Sequence, residues 1–220
     1  MKITNPLCHG QGVVVSPNLV MTALHGKFEI DESEFEITDS SNNVRIGQLY
    51  RQWFKEFRVD IALIRLKENV TPFDQAFEVS RHVPKLMDKI LIASWQPTLS
   101  GSMQFGIELS RFTFADDGAI YRAHYYSLDG LSGCGIVTNA QSDGNIRVIG
   151  VHSGVHDNTE SIEPMVKKGK TSHADFISVS SSHDSMVKNL HGHNSINLIC
   201  VASLVPELLG ILDDEIITLQ

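Results

Sequence analysis

Cysteine is scarce: Cys8, Cys134 and Cys200 are the only three in 220 residues. An odd, widely spaced set gives neither a disulfide framework nor the paired spacing of a zinc site, and a reducing compartment fits it. Basic charge is short as well. Against 26 acidic side chains stand 18 Lys and Arg, a net charge of -8, with no basic block able to follow a phosphate backbone. Nucleic acid is therefore not an expected partner. Long apolar runs are missing too. The longest, Ile196 to Leu212, is interrupted by Asn197, Ser203, Pro206 and Glu207. It is too short and too polar to span a membrane and reads as a core-forming helix; membrane insertion is not expected. The opening stretch MKITNPLCHG lacks the apolar segment of a secretory leader, so cytoplasmic residence is the expectation.

What is present is a chain with 42% apolar residues, enough for one sizeable core or two small cores packed together. From Gly12 to Leu66 the apolar residues come in short bursts rich in Val and Ile, such as GVVVS, LVMTAL, VRIGQLY and VDIALIRL. Turn-forming residues separate them, the pattern of an all-β segment. KILIASW, QFGIELSRFTF, IYRAHYYS, CGIVTNA and NIRVIGVHS repeat the pattern. Two such series imply a mainly β fold of two antiparallel β-barrels, residues 1–80 and 81–175, crossing between Val79 and Lys89. The stretch NTESIEPMVKKGKTSH is polar and reads as a loop, whereas SSSHDSMVKNLHG and SINLICVASLVPELLGIL show helix-like spacing. A small α-rich C-terminal domain over 176–220 is the expectation.

Three segments carry candidate chemistry. A serine hydroxyl is a poor nucleophile at neutral pH unless an imidazole takes its proton, and a carboxylate holds that imidazole in the right tautomer. Ser132 lies in Gly130-Leu131-Ser132-Gly133-Cys134-Gly135, where flanking glycines permit a sharp turn that aims backbone N–H groups at an oxyanion. His25 closes the run Val20-Met21-Thr22-Ala23-Leu24-His25-Gly26, and Asp60 opens Val59-Asp60-Ile61-Ala62-Leu63-Ile64-Arg65-Leu66. An acid directly before a buried apolar run needs a reason to be there. Should Asp60 fail, Asp31 or Glu29 could orient His25. Cys134 as nucleophile would need Gly at position 132, where Ser stands; a buried core thiol is its expected role.

The order His, Asp, Ser is that of the chymotrypsin group. GQGVVVSPNLVMTALHG resembles the first-barrel segment of chymotrypsin-like serine proteases, VDIALIRL their Asp strand, and GLSGCG their nucleophile loop. Cys134 and Gly135 stand where cellular members usually carry Gly and Pro, and Gly26 where many carry a disulfide cysteine. The resemblance implies a serine endopeptidase with catalytic His25, Asp60 and Ser132, an oxyanion hole from the N–H groups of Gly130 and Ser132, and no cofactor. It covers residues 10–156.

Within that family the arrangement is similar to viral main proteases and bacterial glutamyl endopeptidases, and most to the nidovirus main proteases, which add an α-rich appendage. In these a His and a Thr or Ser line the primary specificity pocket. Here Ser127 and His152, with Ser153 beside them, would be the substrate-binding residues. Imidazole and hydroxyl donors match a side-chain carbonyl, which implies cleavage after Gln, or alternatively Glu. The last residues, Ile217-Thr218-Leu219-Gln220, match what self-release from a polyprotein would leave. The partner implied is a polypeptide substrate, a viral polyprotein in the host cytoplasm, with a homodimer left open. The alternatives are a glutamyl endopeptidase and an inactive protease fold acting as a binding module. His9, His156, His173, His183, His191 and His193 show no metal-ligand pattern.

Overall fold

The computed structural model describes residues 1–5, 8–28, 33–54, 59–97, 103–115, 118–125, 127, 130–138, 144–156 and 196–218. The Val- and Ile-rich bursts become strands. The first six are β1 (Lys2–Asn5), β2 (Cys8–Ser16), β3 (Leu19–Thr22), β4 (Glu34–Thr38), β5 (Val44–Gln52) and β6 (Ala62–Leu66). They close into an antiparallel barrel in the order β1-β2-β3-β6-β5-β4. The second set is β7 (Lys89–Pro97), β8 (Met103–Ala115), β9 (Ile120–His124), β10 (Gly135–Thr138), β11 (Arg147–His156) and β12 (Ile196–Val201). It closes in the order β10-β11-β12-β9-β8-β7. Closure gives every strand two neighbours and leaves no barrel edge to protect.

Strand alternation explains why these runs lack a polar face. In β3, Val20 points into the first barrel's core with Phe35, Ile37, Leu49 and Ile64. Its neighbours Leu19 and Met21 point the other way, to a cluster that also holds Trp53, Leu63, Val151, Cys200 and Val205. That second cluster is the seam between the barrels, so a strand bordering it is buried on both faces and reads as continuously apolar. The second barrel has its own interior of Ile90, Ile92, Phe112, Tyr121, Ile136, Ile149 and Ile199.

The C-terminal part departs from the helical expectation. Residues 157–195, which include the expected polar loop and the first expected helix, lie outside the described residues. Ile196 to Val201 is not helix but strand, pairing antiparallel with both β11 and β9. A short apolar run buried on both sides carries no period that distinguishes strand from helix; the barrel's need for a sixth strand decides it. A 3₁₀ turn, Ala202–Leu204, leads to a single helix α1 (Pro206–Thr218). Leu208 and Leu212, one turn apart, face the seam, and Glu207 accepts a hydrogen bond of 2.9 Å from Trp53 Nε1 in the first barrel. Arg65 pairs with Glu215 at 2.5 Å and Arg81 with Asp213. The chain thus completes the second barrel with β12 and returns to clasp the first with α1. Among the described residues no helix is long and apolar enough to cross a membrane.

Candidate active site

His25 sits in a tight turn just after β3. Its φ of 56° and that of Gly26, 63°, are both left-handed, and Lys27 N donates to Leu24 O at 3.2 Å. Consecutive left-handed residues of this kind mark a turn of the type I′ family. Gly26 is required there twice over: its φ is positive, and a Cβ would lie 2.2 Å from the Phe54 ring. Holding His25 itself left-handed costs about 1 kcal/mol. The compensation comes from Asp60, whose Oδ1 accepts the N–H groups of Leu24 at 3.1 Å and His25 at 2.7 Å.

The other oxygen of Asp60 meets His25 Nδ1 at 2.5 Å. It also accepts the hydroxyl of Ser153 at 3.0 Å. With only 2% of its surface exposed, Asp60 is a buried carboxylate, and the N–H groups of Leu24 and His25, the His25 imidazole and the Ser153 hydroxyl all reach it. On the far side of the imidazole, His25 Nε2 lies 3.0 Å from Ser132 Oγ. The three residues named from the sequence come together, Asp60 and His25 from the first barrel and Ser132 from the second. Ser153, named with the expected substrate-binding residues, directs its hydroxyl to Asp60. Asp31 and Glu29, the substitutes for Asp60, lie outside the described residues.

Ser132 is presented by a turn in which Cys134 N donates to Leu131 O at 2.8 Å. Gly130 and Gly133 have φ of 89° and 83°. At Gly133 a Cβ would sit 2.1 Å from Gln11 O and 2.2 Å from Thr22 Oγ1, so the loop nests directly on β2 and β3. Gly133 N donates to His152 O at 2.8 Å and Gln11 N to Ser132 O at 2.8 Å, tying the turn to both barrels. Cys134 lies inside the second barrel's core, where burial pushes its thiol up to about 12. A protonated, enclosed thiol is no nucleophile.

Ser127 and His152 are both buried. The Ser127 hydroxyl has no hydrogen-bond partner among the described residues. His152 Nδ1 lies 2.6 Å from the Tyr125 hydroxyl. Burial first, and then the nearby His25, lower His152 to about 3, with Asp60 opposing; the imidazole is neutral at physiological pH. Burial likewise raises Tyr125 well above its usual value, so its hydroxyl keeps its proton. Asn197, from β12, donates from Nδ2 to Tyr125 O at 2.7 Å. Tyr125, Asn197, Gln11 and the Asp60-directed role of Ser153 escape the sequence reading. Their one visible signal is polarity at positions where strand alternation calls for apolar side chains. Among the described residues no cluster of His, Cys, Asp and Glu could hold a metal ion. His173, His183, His191 and His193 lie outside them.

No family model and no curated protein matches the sequence. Solved structures do. A mutant of tobacco etch virus protease matches with a TM-score of 0.56 at 14% identity, over 91% of this chain and 72% of that one. Mouse neuropsin, a serine protease expressed in the limbic system, gives 0.50 at 19% identity, over 71% and 81%. A serine protease of human pathogenic astrovirus gives 0.50 at 15% identity, over 69% and 80%. At these identities the likeness establishes the fold: two closed barrels of the chymotrypsin type with a C-terminal helix.

Proposed function

We propose that the protein is a serine endopeptidase in which Ser132 is the nucleophile, His25 the general base and acid, and Asp60 the orienting carboxylate. The observation that carries this reading is the unbroken hydrogen-bonded chain Ser153–Asp60–His25–Ser132 across the seam between the barrels. A buried carboxylate on Nδ1 fixes the proton there and leaves Nε2 as the acceptor for the serine hydroxyl. Ser132 Oγ then attacks the peptide carbonyl while its proton passes to Nε2. The tetrahedral oxyanion develops toward the N–H groups of Gly130 and Ser132, which the two left-handed glycines orient. The imidazolium returns the proton to the leaving amine, and water, activated by the same imidazole, releases the acyl group.

The pocket supports cleavage after Gln in preference to Glu. A neutral His152 whose Nδ1 receives the Tyr125 hydroxyl presents Nε2–H as a donor, and Ser127 offers a second hydroxyl, without a partner among the described residues. Two neutral donors match an amide carbonyl; an ionised glutamate would enter without a counter-charge, at a desolvation cost its hydrogen bonds do not repay. The substrate in this reading is an unfolded polypeptide segment such as a polyprotein junction. Kinship with nidovirus main proteases is the finer part of the proposal and rests on the sequence motifs around His25, Asp60 and Ser132. Fluorogenic peptides differing only in the residue before the scissile bond test it. Hydrolysis of the Gln peptide at least about ten-fold faster than the Glu peptide, lost in Ser132→Ala, is expected. Equal or greater rates for Glu would overturn the pocket assignment.

A further inference from the structure

Along β2, odd-numbered residues face the second barrel: Val13 and Val15 both belong to the apolar seam. The alternation of a strand places Gln11 on the same face, and only 4% of its surface is exposed. An amide in such a position is costly unless its groups are paired, and here they are. Oε1 accepts the N–H of Trp95 at 2.8 Å, and Nε2 donates to Trp95 O at 2.7 Å. The second Nε2 proton goes to Gly130 O at 3.1 Å. The residue's own backbone adds two more bonds, N–H to Ser132 O at 2.8 Å and C=O from Thr22 Oγ1 at 2.6 Å. One side chain therefore pairs with β7 as a further strand residue would, and with the hydrogen left over it holds the carbonyl of Gly130.

We infer that Gln11 is a positioning residue for the nucleophile loop, fixing the Gly130 peptide and through it the oxyanion donors. This rests on the serine-protease reading above. Gly130 is where such a restraint matters: its φ is 89°, it has no side chain to limit its backbone, and among the described residues nothing lies within 4 Å of where a Cβ would stand. A carbonyl anchored from the opposite barrel supplies the limit. Oxyanion donors act through pre-set geometry, and loss of that geometry lowers the rate of the chemical step more than it weakens substrate binding.

Two near-isosteric variants separate the contributions. Gln11→Glu keeps the acceptor for Trp95 N–H but loses both donations when ionised; Gln11→Met removes all three side-chain bonds without introducing charge. Hydrogen exchange of the Gly133 and Cys134 amides, bonded to His152 O and Leu131 O, reads the loop directly and requires no turnover. We expect exchange there to quicken about ten-fold or more in both variants, while the Trp95 amide loosens in Gln11→Met only. With the Gln peptide, kcat should fall about ten- to hundred-fold with KM within about two-fold of wild type. Protonation of the introduced carboxyl at lower pH restores one donor, so the Gln11→Glu to wild-type ratio of kcat should rise as pH falls. Unchanged loop exchange overturns the inference whether or not the chain hydrolyses peptides, as does a loosened loop with wild-type kcat. A wild-type protein without activity but with the predicted exchange pattern leaves the positioning role standing and removes the proposed function.

Discussion

His152 makes stability depend on pH in a window set by its burial. In the unfolded chain its imidazole takes a proton near 6.5, whereas the folded protein holds it down to about 3. Between these values the unfolded state binds a proton that the folded state refuses, so stability rises with pH across the window and is lost as pH falls from 6.5 toward 3. Linkage gives a loss of about 2 kcal/mol from pH 7 to pH 5, about 4 kcal/mol by pH 3 and about 5 kcal/mol in full below that. The upper interval isolates the effect, because most unfolded-state carboxylates titrate below it. The perturbation is His152→Gln, which keeps an acceptor for the Tyr125 hydroxyl but does not titrate. Urea unfolding at a series of pH values should show the variant's stability falling less steeply between pH 7 and pH 5, by about 2 kcal/mol. Parallel curves for the two proteins would refute the claim that His152 is buried neutral, and with it the preference for an amide over a carboxylate.

Three other consequences are measurable. Gly133→Ala forces a Cβ to within 2.1 Å of Gln11 O at a positive φ; we expect destabilisation of at least about 2 kcal/mol by urea unfolding, with loss of peptide hydrolysis. Ser153→Ala removes the side-chain hydroxyl bond to Asp60, and kcat should drop about ten-fold with KM nearly unchanged, the size of one hydrogen bond to a charged acceptor; a change confined to KM would assign Ser153 to the substrate wall. Burial raises the thiols of Cys134 and Cys200 to about 12, so at pH 8 iodoacetamide should label neither in the native protein and both after unfolding, as read by mass spectrometry.

The catalytic candidates are legible in the sequence because each sits where a strand pattern ends in a residue that the pattern does not explain. Thr-Ala-Leu-His closes an apolar run, Asp60 precedes one, and Ser132 stands between glycines in a loop too short to be a linker. The pair proposed for the pocket, Ser127 and His152, is legible by resemblance. Gln11, Tyr125 and Asn197 are not, since a polar residue within a strand looks like an exposed one until its partner from another strand is known. The two barrels follow from the bursts of Val and Ile, yet Ile196 to Val201 misleads. Its membership in the barrel is set by β9 and β11, whose nearest residues lie far away along the chain, and no local period records that contact.

A serine activated by a neighbouring imidazole reacts with electrophilic phosphorus reagents that leave ordinary hydroxyls untouched, and Ser132 should be such a serine. A fluorophosphonate probe, with the adduct mapped by mass spectrometry, tests it most directly in wild-type protein, Ser132→Ala and His25→Ala. One adduct is expected, on Ser132, absent from the first variant and slowed by orders of magnitude in the second. An adduct that persists in Ser132→Ala, or that forms at an undiminished rate without His25, would contradict it.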